Sequence, residues 1–153
     1  MQMDTNQDYG PRVHRPYQCF MGRWEGLCKT FDAKGTFLEA SAVHMNVFWV
    51  SENSWHLHEY FENLYEYGPA DIHSDITVEG KACYGANEMV TIDGAEITPY
   101  NYVFTIVSAL SHTTVYNNHY FLDPNNRRII THKVRAAKTH IYQIQDFVRI
   151  LQP

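Results

Sequence analysis

From Arg23 onward apolar and polar residues alternate with a period of two, and the alternation is broken at short intervals by turn signals. Arg23 to Phe31 reads as a strand, Asp32-Ala-Lys-Gly35 as a turn, and Thr36 to Val50 as a long second strand with room for a bulge. After a turn at Ser51 to Ser54, the segment Trp55 to Glu62 alternates cleanly. Trp55, Leu57, Glu59 and Phe61 fall on one face, and His56, His58, Tyr60 and Glu62 on the other. Further strands are expected over Ile72 to Val78, Lys81 to Tyr84, Glu88 to Ile92, Ile97 to Val107, Thr113 to Leu122, Arg128 to Arg135 and His140 to Leu151. Asp93-Gly94 and Asp123-Pro-Asn-Asn126 are turn signals between them.

No segment carries a long amphipathic helical pattern; Glu62 to Tyr67 and Ser108 to His112 are at most short helical turns. The pattern predicts an all-β chain: a single antiparallel up-and-down β-barrel of about 8–10 strands. Residues 1–18, with Pro11 and Pro16 and little periodicity, are expected to form an extended N-terminal arm, and 19–153 the barrel domain.

Length and charge narrow the function. A chain of 153 residues can bury one core without disulfides or a structural metal. With 12 Lys and Arg against 17 Asp and Glu there is no basic field to gather phosphates, so nucleic acid is not an expected partner. No apolar stretch approaches the roughly 20 residues that cross a bilayer, so no membrane is expected. The N-terminus lacks the basic and apolar regions of a secretory signal, and a cytoplasmic location is the expectation. Cys19, Cys28 and Cys83 have no metal-ligand spacing and read as reduced thiols.

Phe20-Met-Gly22-Arg-Trp24, followed by strands and closed by Phe147-Val-Arg149-Ile, resembles the opening and end of the calycin superfamily, the lipocalin-like barrels. The resemblance implies a cavity for a small molecule, with Arg149 packed as a cation on the face of Trp24. The tail from Pro124-Asn125 through Arg128, Thr131, Val134 and Arg135 is also similar to the end of the S-type phycobiliprotein lyases, calycins that handle a linear tetrapyrrole. No cysteine arrangement or acidic motif carries lyase chemistry across.

The chain is rich in aromatics, 11 Tyr, 8 Phe and 3 Trp, with 9 His beside them. Many serve simply as strand formers. A cavity lined by Trp24, Trp55, Phe61, Tyr102 and Phe121, with Arg149 at its end, would suit a largely apolar or aromatic metabolite. Glu59 shares a face with Trp55 and Phe61, so it is expected to point inward with a raised pKa or to reach solvent at the rim. His132, in phase with Ile130 and Val134, and His119, in phase with Val115 and Phe121, are expected inward as well. Glu59, His119 and His132 would orient a ligand or, in a cofactor-free cyclase or isomerase, move protons. A core histidine held by a backbone carbonyl is the plainer alternative for each.

His56-x-His58 followed by Glu62 is similar to the first cupin motif, which would make a metalloenzyme. The upstream glycine and the second motif are missing, and the face is the solvent face. Among nine histidines an accidental spacing is favoured, and no metal is assigned. Nucleophile elbows, phosphate loops and dinucleotide fingerprints are absent from the sequence, so no cofactor is called for. Val148 and Ile150 on the last strand offer an apolar outer patch on which a homodimer would form.

Overall fold

The computed structural model of the chain describes residues 14–62, 67, 69–136 and 140–151. Ten strands follow a short 3-10 turn at Gln18–Phe20: β1 Gly22–Asp32, β2 Phe37–Ser51, β3 Ser54–Phe61, β4 Asp71–Glu79, β5 Ala82–Ala86, β6 Val90–Thr98, β7 Asn101–Ser108, β8 Thr114–Leu122, β9 Arg128–Arg135 and β10 Ile141–Arg149. Each pairs antiparallel with the next, and β1 pairs with β10, so the sheet closes into an up-and-down barrel. Closure removes the exposed edges that an open sheet of this size would present. The expected helical turn at Ser108 to His112 is the β7–β8 hairpin turn. The one at Glu62 to Tyr67 lies mostly outside the described residues.

Alternation sets the core. In β3, Trp55, Leu57, Glu59 and Phe61 are buried while the residues between them are partly exposed. In β10, Ile141, Gln143, Gln145 and Phe147 are the buried set. The register shifts at four places, in the β1–β2, β2–β3, β6–β7 and β7–β8 ladders, the last at Val115 of β8. At Gly26 of β1 a Cβ would stand 1.9 Å from the Asp146 carbonyl oxygen, so only glycine lets β10 approach this closely.

One end of the barrel is plugged by rings. Tyr17, Phe20, Trp24, Trp55 and Tyr102 are all at most 1 % exposed. Phe20 stacks on Tyr102 at 5.1 Å and meets Trp55 edge-on at 5.7 Å. Arg149 covers the plug: its guanidinium lies 4.1 Å from the Trp24 ring centroid and donates to the carbonyls of Met21, Cys19 and Asn126. Gly22 makes room for it, since a Cβ there would sit 2.1 Å from Arg149 Nη1. The glycine of the Gly-x-Trp sequence therefore serves the arginine as much as the turn.

Tyr17 belongs to the segment expected to be an extended arm, and it is fully buried in the plug. Its left-handed backbone (φ 70°) is unfavourable for a tyrosine. The conformation is held by a bond from its amide to Glu96 Oε1 at 2.9 Å and one from its hydroxyl to the Lys81 carbonyl at 2.6 Å. His14 Nε2 adds contacts to both Glu96 oxygens, at 3.1 and 3.0 Å. Among the described residues no helix is long and apolar enough to cross a membrane.

Candidate ligand cavity

Away from the plug the barrel is hollow. A cavity of about 640 Å³ is bounded by β3, β4 and β6 to β10, with Trp55 and Phe104 at its floor and Phe61, Ile72, Met89 and Ile106 among its apolar wall. Its mouth lies along β4. The β4–β5 ladder runs only from Thr77 to Glu79, so among the described residues Asp71–Ile76 are paired with β3 alone. Pro69, Asp71, His73, Asn87 and Met89 border the cavity on this side.

Glu59 and Lys133 face each other across this interior. Lys133 Nζ donates to Oε1 and Oε2 of Glu59 at 3.0 and 2.8 Å, and Gln145 Nε2 donates to Oε2 at 2.9 Å. The two side chains are only 1 % and 8 % exposed. Burial works against the charge on Lys133, but the carboxylate of Glu59 outweighs it and the ammonium is held above the usual lysine range. The Tyr120 hydroxyl, on the same wall, is pushed up to about 12 by burial and remains a donor at neutral pH. Trp55 Nε1 and Asn118 Oδ1 are buried without a protein hydrogen-bond partner, and both residues line the cavity. Both atoms are covered by protein, so a ligand carbonyl and N–H or O–H would pair with them once the side chains turn into the hollow.

The expected site residues divide. Trp55, Phe61 and Glu59 are at the cavity, although Glu59 is an ion-paired group rather than the lone carboxyl expected. Trp24, Tyr102 and Arg149 belong to the plug and not to the cavity wall; the Tyr102 hydroxyl is donated to the Pro99 carbonyl. His119, His132 and Phe121 are corrected: they lie on the outer face, with the His119 and Phe121 rings stacked at 4.1 Å and His132 edge-on to Phe121 at 5.3 Å. Phe121 is 36 % exposed.

The reason differs between the two strands. In β8 the extra residue at Val115 shifts the phase, so Val115 borders the cavity while His119 and Phe121 turn outward and Asn118 and Tyr120 turn inward. In β9 the outer face is the more apolar one, with Ile130 and Val134 against Ile129 alone, yet the pairing with Glu59 draws Lys133 in with Ile129 and Thr131, leaving Ile130, His132 and Val134 outside. The sequence reading missed Lys133, Asn118, Tyr120, Gln143 and Gln145. A lysine is by habit placed in solvent, and only a carboxylate on a distant strand makes its burial tolerable.

The cupin-like set does not assemble. Glu62 accepts from His44 Nε2 at 2.5 Å, while His56 and His58 turn to β4, to Asp75 at 2.7 Å and Asp71 at 2.6 Å. The three cysteines are free, and burial pushes Cys28 and Cys83 up to about 11. Val148 is exposed on β10.

No protein-family profile and no curated protein matches the sequence. Solved structures do. The S-type phycobiliprotein lyase CPES from Guillardia theta superposes with a TM-score of 0.66 at 6 % identity, over 90 % of this chain and 92 % of that one. A DUF3598-family protein of unknown function from Nostoc punctiforme gives a TM-score of 0.67 at 11 % identity, over 89 % of this chain. The present chain spans about half (51 %) of that protein's length. At these identities the likeness is one of fold, a lipocalin-like closed barrel.

Proposed function

We propose that the barrel binds an elongated, largely apolar or aromatic small molecule that carries a carbonyl and an N–H or O–H group. The observation that carries this reading is the hollow of about 640 Å³ whose wall holds Trp55 Nε1 and Asn118 Oδ1 without partners beside an ion pair. Its size is within the roughly 300–1,000 Å³ of small-molecule sites. Linear tetrapyrroles fit this description, and the shared fold with a phycobiliprotein lyase makes them the first class to try. Apolar contacts with Ile72, Ile92 and Ile106 would supply most of the affinity, while Asn118, Tyr120 and Trp55 would set orientation.

The convergence of Glu59, Lys133 and Tyr120 favours a second reading, a cofactor-free cyclase or isomerase using that set for proton transfer. Glu59 already accepts three hydrogen bonds, so a substrate has to displace Lys133 or Gln145 to reach its oxygens.

Native mass spectrometry of freshly purified protein, followed by titration with biliverdin, tests binding. Ile106→Trp should narrow the hollow and weaken uptake while far-UV circular dichroism stays unchanged. Equal uptake by wild type and Ile106→Trp would place the ligand elsewhere. Under the catalytic reading, Glu59→Gln keeps binding and loses about a hundredfold or more in turnover.

A further inference from the structure

On the outer face of the wall that flanks the mouth, β3 and β4 place three imidazoles and two carboxylates side by side. His58 and His73 are directly paired across the ladder, and so are His56 and Asp75. The His58 and His73 rings stack with centroids 4.0 Å apart and planes 11° from parallel. Asp71 Oδ1 lies 2.6 Å from His58 Nε2 and 3.5 Å from His73 Nε2. One ligand atom each from His58, Asp71 and His73 falls within 4.8 Å of the others.

From this geometry we infer that His58, Asp71 and His73 form a site for a divalent transition-metal ion, which clamps the mouth-flanking half of β4 to β3. Two imidazole nitrogens and one carboxylate oxygen are a donor set for Zn²⁺ and its neighbours rather than for Ca²⁺ or Mg²⁺. With metal–ligand bonds of about 2.0–2.2 Å, tetrahedral ligand atoms stand roughly 3.3–3.6 Å apart. The Asp71 to His73 separation of 3.5 Å already has that value. The contact between His58 and Asp71 has to open, by somewhat under 1 Å, which the exposed Asp71 side chain allows. The two imidazole nitrogens, within 4.8 Å of each other, have to settle at the same spacing. Solvent exposure of the three leaves the fourth coordination position to water.

A second layer orients the site. His56 Nε2 meets His73 Nδ1 at 2.9 Å, and Asp75 Oδ1 meets His56 Nδ1 at 2.7 Å. This carboxylate–imidazole–imidazole relay engages the Nδ1 of His73 and turns its Nε2 toward Asp71, the arrangement that supports metal-ligating histidines. The consequence of binding follows from the ladder. Among the described residues Asp71–Ile76 are laddered to β3 alone, so a cross-strand clamp between His58 and His73 stiffens a stretch of cavity wall with a hydrogen-bonded partner on one side. The inference stands apart from the proposed function, since it needs no ligand in the cavity.

The test is calorimetric titration of chelator-treated full-length protein with Zn²⁺ alone, alongside His58→Ala, His73→Ala and Asp71→Asn. Binding at one ion per chain, weakened more than about tenfold in each variant, is expected, because even loss of a supporting partner costs 10–100-fold. His112→Gln, on the exposed β7–β8 turn, should bind as wild type. All these side chains are outside the core, and thermal melting confirms that each variant folds. Zn²⁺ should also slow amide hydrogen exchange over Asp71–Ile76 in the wild type and not in His73→Ala. No uptake by the wild type overturns the site, as does uptake that survives in His58→Ala and His73→Ala. Uptake lost only in His44→Ala does so too, because it would move the ion to the neighbouring His44, Glu25 and Glu62 group. Binding without slowed exchange overturns the clamp.

Discussion

The two ends of one barrel wall use their inward positions in opposite ways. At the plug, Tyr17, Phe20, Trp55 and Tyr102 pack ring against ring, and Arg149 lies over the Trp24 ring and donates to carbonyls at the rim. Toward the mouth β3, β8, β9 and β10 send in Glu59, Lys133, Asn118, Tyr120 and Gln143 and leave a hollow between them. The plug gains from every contact it makes. The cavity retains buried charge, and continuum arguments and measured cases agree that an ion pair of this kind is rarely better for stability than an apolar pair of equal volume. Packed rings and a charged hollow are therefore separated along the barrel axis, and the separation can be attacked from either end.

The largest effect is expected at the cavity. Glu59→Leu leaves the Lys133 ammonium buried without its carboxylate, and urea unfolding should show a loss of about 3–5 kcal/mol. The double variant Glu59→Leu with Lys133→Met should recover most of that loss. If it does not, the pair is a stabilising element and the contrast with the plug is wrong. A pH series sharpens the point. The folded-state pKa of Lys133 is raised, so its contribution is fully present below the unfolded value of about 10.4 and is lost as pH climbs through the higher folded one. The wild type should therefore hold steady against the double variant across neutral pH and lose ground only in strong alkali.

At the plug the expectation is reversed. Trp24→Ala should cost about 3–5 kcal/mol of stability and leave biliverdin affinity unaltered, because Trp24 is packed under Arg149 and not on the cavity wall. A parallel fall in affinity would show that the ends are coupled. Arg149→Met should cost less, about 1.5–3 kcal/mol, from its charge-assisted bonds to buried-end carbonyls.

What could be read from the sequence cuts across that division. Only part of the plug was legible: the resemblance implied Arg149 on the face of Trp24, and closure of β1 on β10 brings the two together, but Trp24, Tyr102 and Arg149 were expected on the cavity wall and Tyr17 in an arm. Trp55, Leu57, Glu59 and Phe61 were legible because β3 is regular throughout. The rest of the cavity was not. One inserted residue at Val115 reverses the phase of β8, and nothing local announces it. In β9 the more apolar face is turned out, and the choice is made by Glu59, 74 positions away in sequence. The inward glutamines of β10 share their face with Ile141 and Phe147, and the amide of Gln145 is spoken for by that same carboxylate. The cluster of His58, Asp71 and His73 joins two strands across a connection whose length does not reveal the register.

The smallest effect concerns the outer histidines, and it tests the comparison by its near absence. His119 and His132 are paired across β8 and β9 and flank Phe121 on the solvent side of the wall. Partial burial and the neighbouring His132 both lower the pKa of His119. The unfolded chain then takes up a proton first as pH falls through about 6.5, so stability should decline slightly between that value and the lower folded pKa. Solvent screens most of this, and His119→Gln should change stability by no more than about 0.5 kcal/mol and biliverdin affinity not at all. Two-dimensional NMR titration isolates the cause. His132→Gln removes the like-charged neighbour, so the His119 pKa should rise toward its ordinary value. A loss of ligand binding in either variant would mean that the wall transmits events on its outer face to the cavity, and the axial division of labour would have to be replaced by a radial one.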